Sequence, residues 1–168
     1  PGMLAAIVDN EQSGQGGLYG LAGLLRNLTD TAALRTSEAY GESGLSGDLS
    51  QTVGLAQMSW QDALGQRERF HELGVSLGGL NFPITEAQAR LALQDSRAGL
   101  LLTASRLVGY LDVQEGREAR PHMGARTYFT GPGWHNNPAL LSSGQTWPYA
   151  WNAFFKACLY GELLTRSG

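Results

Sequence analysis

The sequence is poor in several features that would each point to a function. Charge is scarce: Asp, Glu, Lys and Arg make up 16% of the 168 residues, against about a quarter in an average domain. The formal net charge is −3, with no run of like charges and no basic stripe. The electrostatic footprint that grips a phosphate backbone is missing, so nucleic acid is not an expected partner. There is one cysteine, Cys158, so no internal disulfide can form, and its apolar setting predicts inert packing. No apolar stretch approaches the ~20 residues of a membrane-spanning helix, and no signal peptide is visible. A phosphate loop of the G-x-x-x-x-G-K-[ST] type does not occur, and GLYGLAG (residues 17–23) lacks the spacing of a dinucleotide turn. GESGL and GLSGD each miss the G-x-S-x-G elbow by one glycine. His71, His122 and His135 share no i, i+4 spacing, so no zinc helix is indicated. No cofactor is implied.

What is present fits one mostly α-helical domain spanning residues 1–168, with at most a small β-hairpin near residues 41–58. Apolar residues reach 42%, enough for a sizeable core at this length. Glycine is abundant, 23 residues of which 14 come before residue 80, which predicts a loop-rich first half. The chain opens on Pro1 rather than Met, and is expected to be processed or cut from a longer protein with further domains.

Periodicity and caps place the helices. Leu4, Ile7 and Val8 fall at i, i+3 and i+4 of a helix over residues 3–12, and the i+7 position is Glu11. Short helices are expected over 18–28 and from a Thr29 or Asp30 cap to about residue 40. Ser59 with Asp62, and Thr85 with Gln88, are capping-box patterns. They predict helices over 60–73, stopped by Gly74, and from 86 to about 93. Asp95 caps a long helix over 96–113, and Pro121 suits the first turn of a short one. Residues 130–146 read as a loop. A final amphipathic helix from Pro148 to about residue 166 offers Tyr149, Phe154, Phe155, Leu159 and Leu163 for burial.

With other chemistries lacking, the carboxylates carry the functional reading. Glu11 lies on the apolar stripe of its helix, at the last turn. Desolvation there disfavours the charged form and raises a carboxyl pKa, and the helix C-terminus acts in the same sense. An acid still protonated near neutral pH is what a glycosidase needs to protonate a leaving oxygen. The plain alternative is a Glu11 turned to water at a frayed helix end. Glu42 and Asp48 lie in the turn-rich segment 41–52, as carboxylates on the lip of a cleft or as solvated loop residues.

GLAQMSWQDA (54–63), ALQDSRAGLLLTASRLVGYLD (92–112) and ARTYFTGPG (125–133), in that order, resemble the lysozyme-like superfamily of goose-type lysozymes and lytic transglycosylases. In that family a catalytic Glu ends a buried helix. A Gly-[Leu/Ile]-x-Gln segment leads into the next helix, and an Ala-x-x-Tyr-Asn-x-Gly-Pro stretch lines the sugar cleft. Gln57 matches the Gln and Tyr128 the Tyr, while Phe129 stands where the family has Asn. The resemblance leaves two candidates for the acid. LAAIVDNEQSG (4–14) is similar to the buried catalytic helix and favours Glu11. GESGLSGDLSQTVGLAQ (41–57) has the family's Glu-Ser pair and spacing and favours Glu42. Glu11 is preferred, because general-acid chemistry requires the buried site.

The resemblance implies cleavage of β-1,4 links in peptidoglycan or a related glycan, outside the cytoplasm. Gln57 would hydrogen-bond the sugar, and Tyr128, Trp60 or Trp134 would pack on a ring face. The rival readings are a non-catalytic glycan-binding domain and a helical interaction domain of a larger phage or secretion assembly.

Overall fold

The computed structural model describes residues 1–13, 52–77, 79, 81–112, 121–131, 136–142, 144 and 146–166. Among them the chain is mainly helical, with one small antiparallel sheet. The elements are α1 (Gly2–Ser13), β1 (Thr52–Val53), β2 (Met58–Ser59), α2 (Trp60–Leu64), α3 (Arg67–Leu73), α4 (Glu86–Gln94), α5 (Ser96–Asp112), α6 (Pro121–Thr130), α7 (Pro138–Ser142) and α8 (Thr146–Arg166). The helices expected over 18–28 and 30–40 lie outside the described residues. The chain divides into two compact units, Pro1–Asn10 with Ala104–Gly168, and Glu11–Thr103.

The unit Glu11–Thr103 is assembled by local caps around an aliphatic core. Ser59 caps α2, its Oγ accepting from the Asp62 N–H at 3.1 Å. Thr85 caps α4 by accepting from the Gln88 N–H, and the Gln88 side chain reaches back to accept from the Ile84 N–H at 3.0 Å. Asp95 caps α5 through the Ala98 N–H at 2.8 Å. Gly74 ends α3 in the left-handed region, φ 60°, the conformation that favours glycine. These elements bury Val53, Met58, Ala63, Phe70, Leu77, Leu93, Ala98 and Leu102 in one cluster. Phe82 closes it with its ring centroid 5.5 Å from that of Phe70.

One helix expected here is two. Residues 60–73 break at Gly65 and Gln66, where Gln66 N–H bonds to Ala63 O in a tightened turn. Glycine weakens the helix interior, and the buried Gln66 amide turns back to the Asp62 carbonyl at 3.2 Å.

The other unit is built from close helix approach. On α1 the deepest residues are Gly2, Ala6, Ile7 and Asn10, while Leu4, Val8 and Glu11 are half-buried. The stripe is thus rotated from the expected one. The cause is size: a Cβ at Gly2 would stand 2.4 Å from the Ala157 carbonyl oxygen, so the small face of α1 lies nearest to α8. Polar ties hold this antiparallel pair. Asn152 donates to Asn10 Oδ1 at 3.1 Å, Tyr160 OH donates to Asp9 Oδ2 at 2.9 Å, and Lys156 Nζ is 2.8 Å from the same carboxylate.

Two further expectations are corrected in this unit. The loop over 130–146 contains α7, because Asn137 accepts from the Ala139 N–H at 3.0 Å and precedes Pro138 at the first helical position. The last helix starts at Thr146 and buries Thr146, Ala150 and Ala153. Phe155, Leu159 and Leu163, expected inside, are exposed, and Tyr149 and Phe154 are half-buried. Cys158 is exposed rather than packed.

Candidate functional site

The GLAQ segment is a four-residue hairpin turn. β1 and β2 pair with Thr52 opposite Ser59 and Val53 opposite Met58, so residues 54–57 reverse the chain and α2 begins at once. Gly54 has φ 77° and Gln57 φ 49°. A Cβ at Gly54 would lie 2.1 Å from the Leu93 carbonyl oxygen, so this corner accepts glycine for both conformation and space. Gln57 pays for its left-handed backbone with local bonds. Its N–H and its Nε2 both donate to the Gly54 carbonyl, at 3.2 and 2.8 Å. Its Oε1 accepts from the Thr52 hydroxyl at 3.3 Å. A carboxamide has two N–H groups and two lone-pair sites, and these side-chain bonds engage one of each. The polar residue inside an apolar run is therefore a turn-former first.

The end of α1 is tied to this turn. Gln12 Nε2 donates to the Leu55 carbonyl at 2.7 Å, across 43 positions of sequence. Glu11, the residue before it, is half-buried on the same helical turn. Leu55 is exposed beside Ala56, which is buried. In the unit Glu11–Thr103 the half-buried residue Glu11 is thus next in sequence to the Gln12 that binds the turn, and the turn itself carries an exposed Leu55. Sequence reading missed Gln12. A bond over such a separation leaves no periodic or capping signature.

The remaining predicted residues fall in three places. Trp60 opens α2 and packs, partly buried, against the aliphatic cluster. Tyr128 is half-buried on α6, in the other unit. Glu42, Asp48 and Trp134 lie outside the described residues. Phe129, which stands where the resembled motif has Asn, is exposed and stacks on Tyr149 at 4.4 Å between centroids. Among the described residues no group of three or more His, Cys, Asp or Glu side chains is placed to hold a metal ion.

A second polar centre lies between α6, α7 and α8. Arg126 is fully buried. Its Nη2 donates to the Leu140 carbonyl and to the Thr146 hydroxyl, both at 3.0 Å. Its guanidinium lies 3.8 Å from the centroid of the Trp147 ring, a cation–π contact. Desolvation lowers its pKa from the ordinary value. One turn away, His122 stacks on Trp151 at 4.8 Å with the rings nearly parallel. These two contacts clamp α6 along α8, and the Leu140 carbonyl adds α7.

No known protein family matches the chain, and no curated protein and no solved structure is significantly similar to it.

Proposed function

We propose that this protein cleaves β-1,4 links in peptidoglycan, with Glu11 as the general acid. The observation that carries the reading is the Gln12–Leu55 hydrogen bond. It ties the helix end that bears Glu11 to the GLAQ turn, one of the three segments that carry the resemblance to lysozymes and lytic transglycosylases. Glu11 is half-buried, a setting less open to water than a solvated loop carboxylate would have. Glu11 protonates the glycosidic oxygen as the bond to the sugar anomeric carbon breaks. Backbone groups of the turn and the remaining capacity of the Gln57 amide hold the sugar. A second carboxylate ~6.5–9.5 Å away would activate water for inversion, and Glu42 is the candidate. Without one, the 6-hydroxyl of the substrate attacks and leaves a 1,6-anhydro end.

The test is incubation with purified peptidoglycan and mass spectrometry of the soluble products. Reducing ends indicate hydrolysis, and anhydro ends indicate transglycosylation. Glu11→Gln is expected to lower turnover about 10³-fold while the protein stays folded, in the range for loss of a general acid. If Glu42→Gln abolishes turnover and Glu11→Gln does not, the acid is Glu42. Intact sacculi after prolonged incubation would end the enzyme reading.

A second reading is supported by a different observation. The outer face of α8 exposes Trp151, Phe155, Leu159 and Leu163, as a helical interaction domain of a larger assembly would. Intact sacculi would favour it.

A further inference from the structure

On α8, Trp147, Trp151, Phe155, Leu159 and Leu163 recur every fourth residue, and their exposures are 37, 43, 66, 56 and 51%. Such an i+4 row forms a single ridge inclined to the helix axis. The opposite side of the helix is already occupied, with Thr146, Ala150 and Ala153 buried. Trp147 and Trp151 are half covered by Arg126 and His122, whereas Phe155, Leu159 and Leu163 stand more than half exposed. At roughly 200 Å² per fully exposed large side chain, the ridge presents about 500 Å², within the range where the largest patch of a monomer is often functional.

We infer that a second copy of this chain covers the ridge, forming a two-fold dimer through α8. Three features fit that occupant. A ridge of i+4 spacing interdigitates with an identical ridge at a crossing angle near −50°, so the surface is complementary to itself, as a two-fold interface requires. Full burial of two ridges would remove about 1,000 Å² from water, at the weak end of interface sizes, before the flanking exposed Cys158, Glu162 and Arg166 are counted. The charges near the ridge are balanced. Lys156 is paired with Asp9, and Glu162 lies 3.6 Å from Arg166, so two copies meet without like-charge repulsion. The aromatic part is held in place beforehand, since Trp151 is fixed by His122 on one side and contacts Phe154 and Phe155 on the other.

Light scattering and sedimentation of the full chain, from micromolar to sub-millimolar concentration, test this. The wild type is expected to approach twice the 18.0 kDa of one chain. Phe155→Glu and Leu159→Glu, each at an exposed position and checked for helicity by circular dichroism, are expected to weaken the dimer by about thirtyfold or more. Leu73→Glu, at an exposed position in the other unit, is expected to leave it unchanged. Mixing Phe155→Glu copies with Leu159→Lys copies is expected to restore association, which only ridge-on-ridge contact explains. A wild type that stays at 18.0 kDa throughout overturns the inference, as does a dimer indifferent to both Glu substitutions. A monomer that instead sediments with phosphatidylcholine vesicles overturns it in favour of a lipid surface.

Discussion

The two units differ in what fills the space between their helices. In the unit Glu11–Thr103, Val53, Met58, Phe70, Leu77, Leu93 and Leu102 point inward and form one cluster. In the other, Ile7, Leu107 and Tyr110 are buried among Ala6, Ala125, Ala150 and Ala153 and the polar Asn10, Arg126 and Thr146, while Phe129, Trp151, Phe155 and Leu159 face outward. The first is held by burial of hydrocarbon. The second is held by backbones brought close, with hydrogen bonds and stacked rings supplying direction. Size therefore does not decide burial in this chain. A large residue on a helix packed through its small face is left outside.

Substitutions of opposite kinds separate the two modes. The largest effect is expected from truncation in the aliphatic cluster: Leu102→Ala, at a fully buried position, should cost about 3 kcal/mol in urea unfolding, from lost transfer energy and the cavity left behind. A loss below 1 kcal/mol would mean that the cluster is not the source of that unit's stability. Enlargement should be the damaging change in the other unit. Ala150→Leu, also fully buried, is expected to cost about 1–3 kcal/mol by forcing helices apart, and a neutral result would show that α8 is loosely seated.

The smallest effect concerns the polar ties. The hydrogen bond to Asp9 raises the Tyr160 pKa, with desolvation and the Asp9 charge acting in the same direction. A raised phenol pKa stabilises the fold below the ordinary value near 10; that contribution is lost as pH rises through the higher folded pKa. Absorbance titration at alkaline pH should show the Tyr160 step, identified by its absence in Tyr160→Phe, moving down in Asp9→Asn. A step that does not move would break the assignment of the tie.

What the sequence revealed and what it hid follow from range. The caps at Ser59, Thr85 and Asp95 and the stop at Gly74 are local chemistry, written within four residues, and each stands where the spacing predicts. The hairpin lies within the expected span, although its turn is the GLAQ segment itself. Asn137-Pro138 was equally local, but a surrounding run of Gly, Ser and Asn masked it. The face of α8 was misread because amphipathic patterns assume that large apolar residues go inside. The site was the least legible part. Glu11 stood out by its stripe, but the bond from Gln12 to Leu55 joins distant segments, and the engagement of the Gln57 amide depends on a backbone conformation that residue types alone do not declare.

The self-sealed hairpin corner has a kinetic meaning. A loop whose own amide fastens it shut is rigid before anything arrives, so docking there leaves little freedom to be lost. On the proposed reading, a sugar meeting residues 54–57 finds its partners already in place, and its rate of binding should be nearly indifferent to solvent viscosity beyond simple diffusion, without the lag that a rearranging lid imposes.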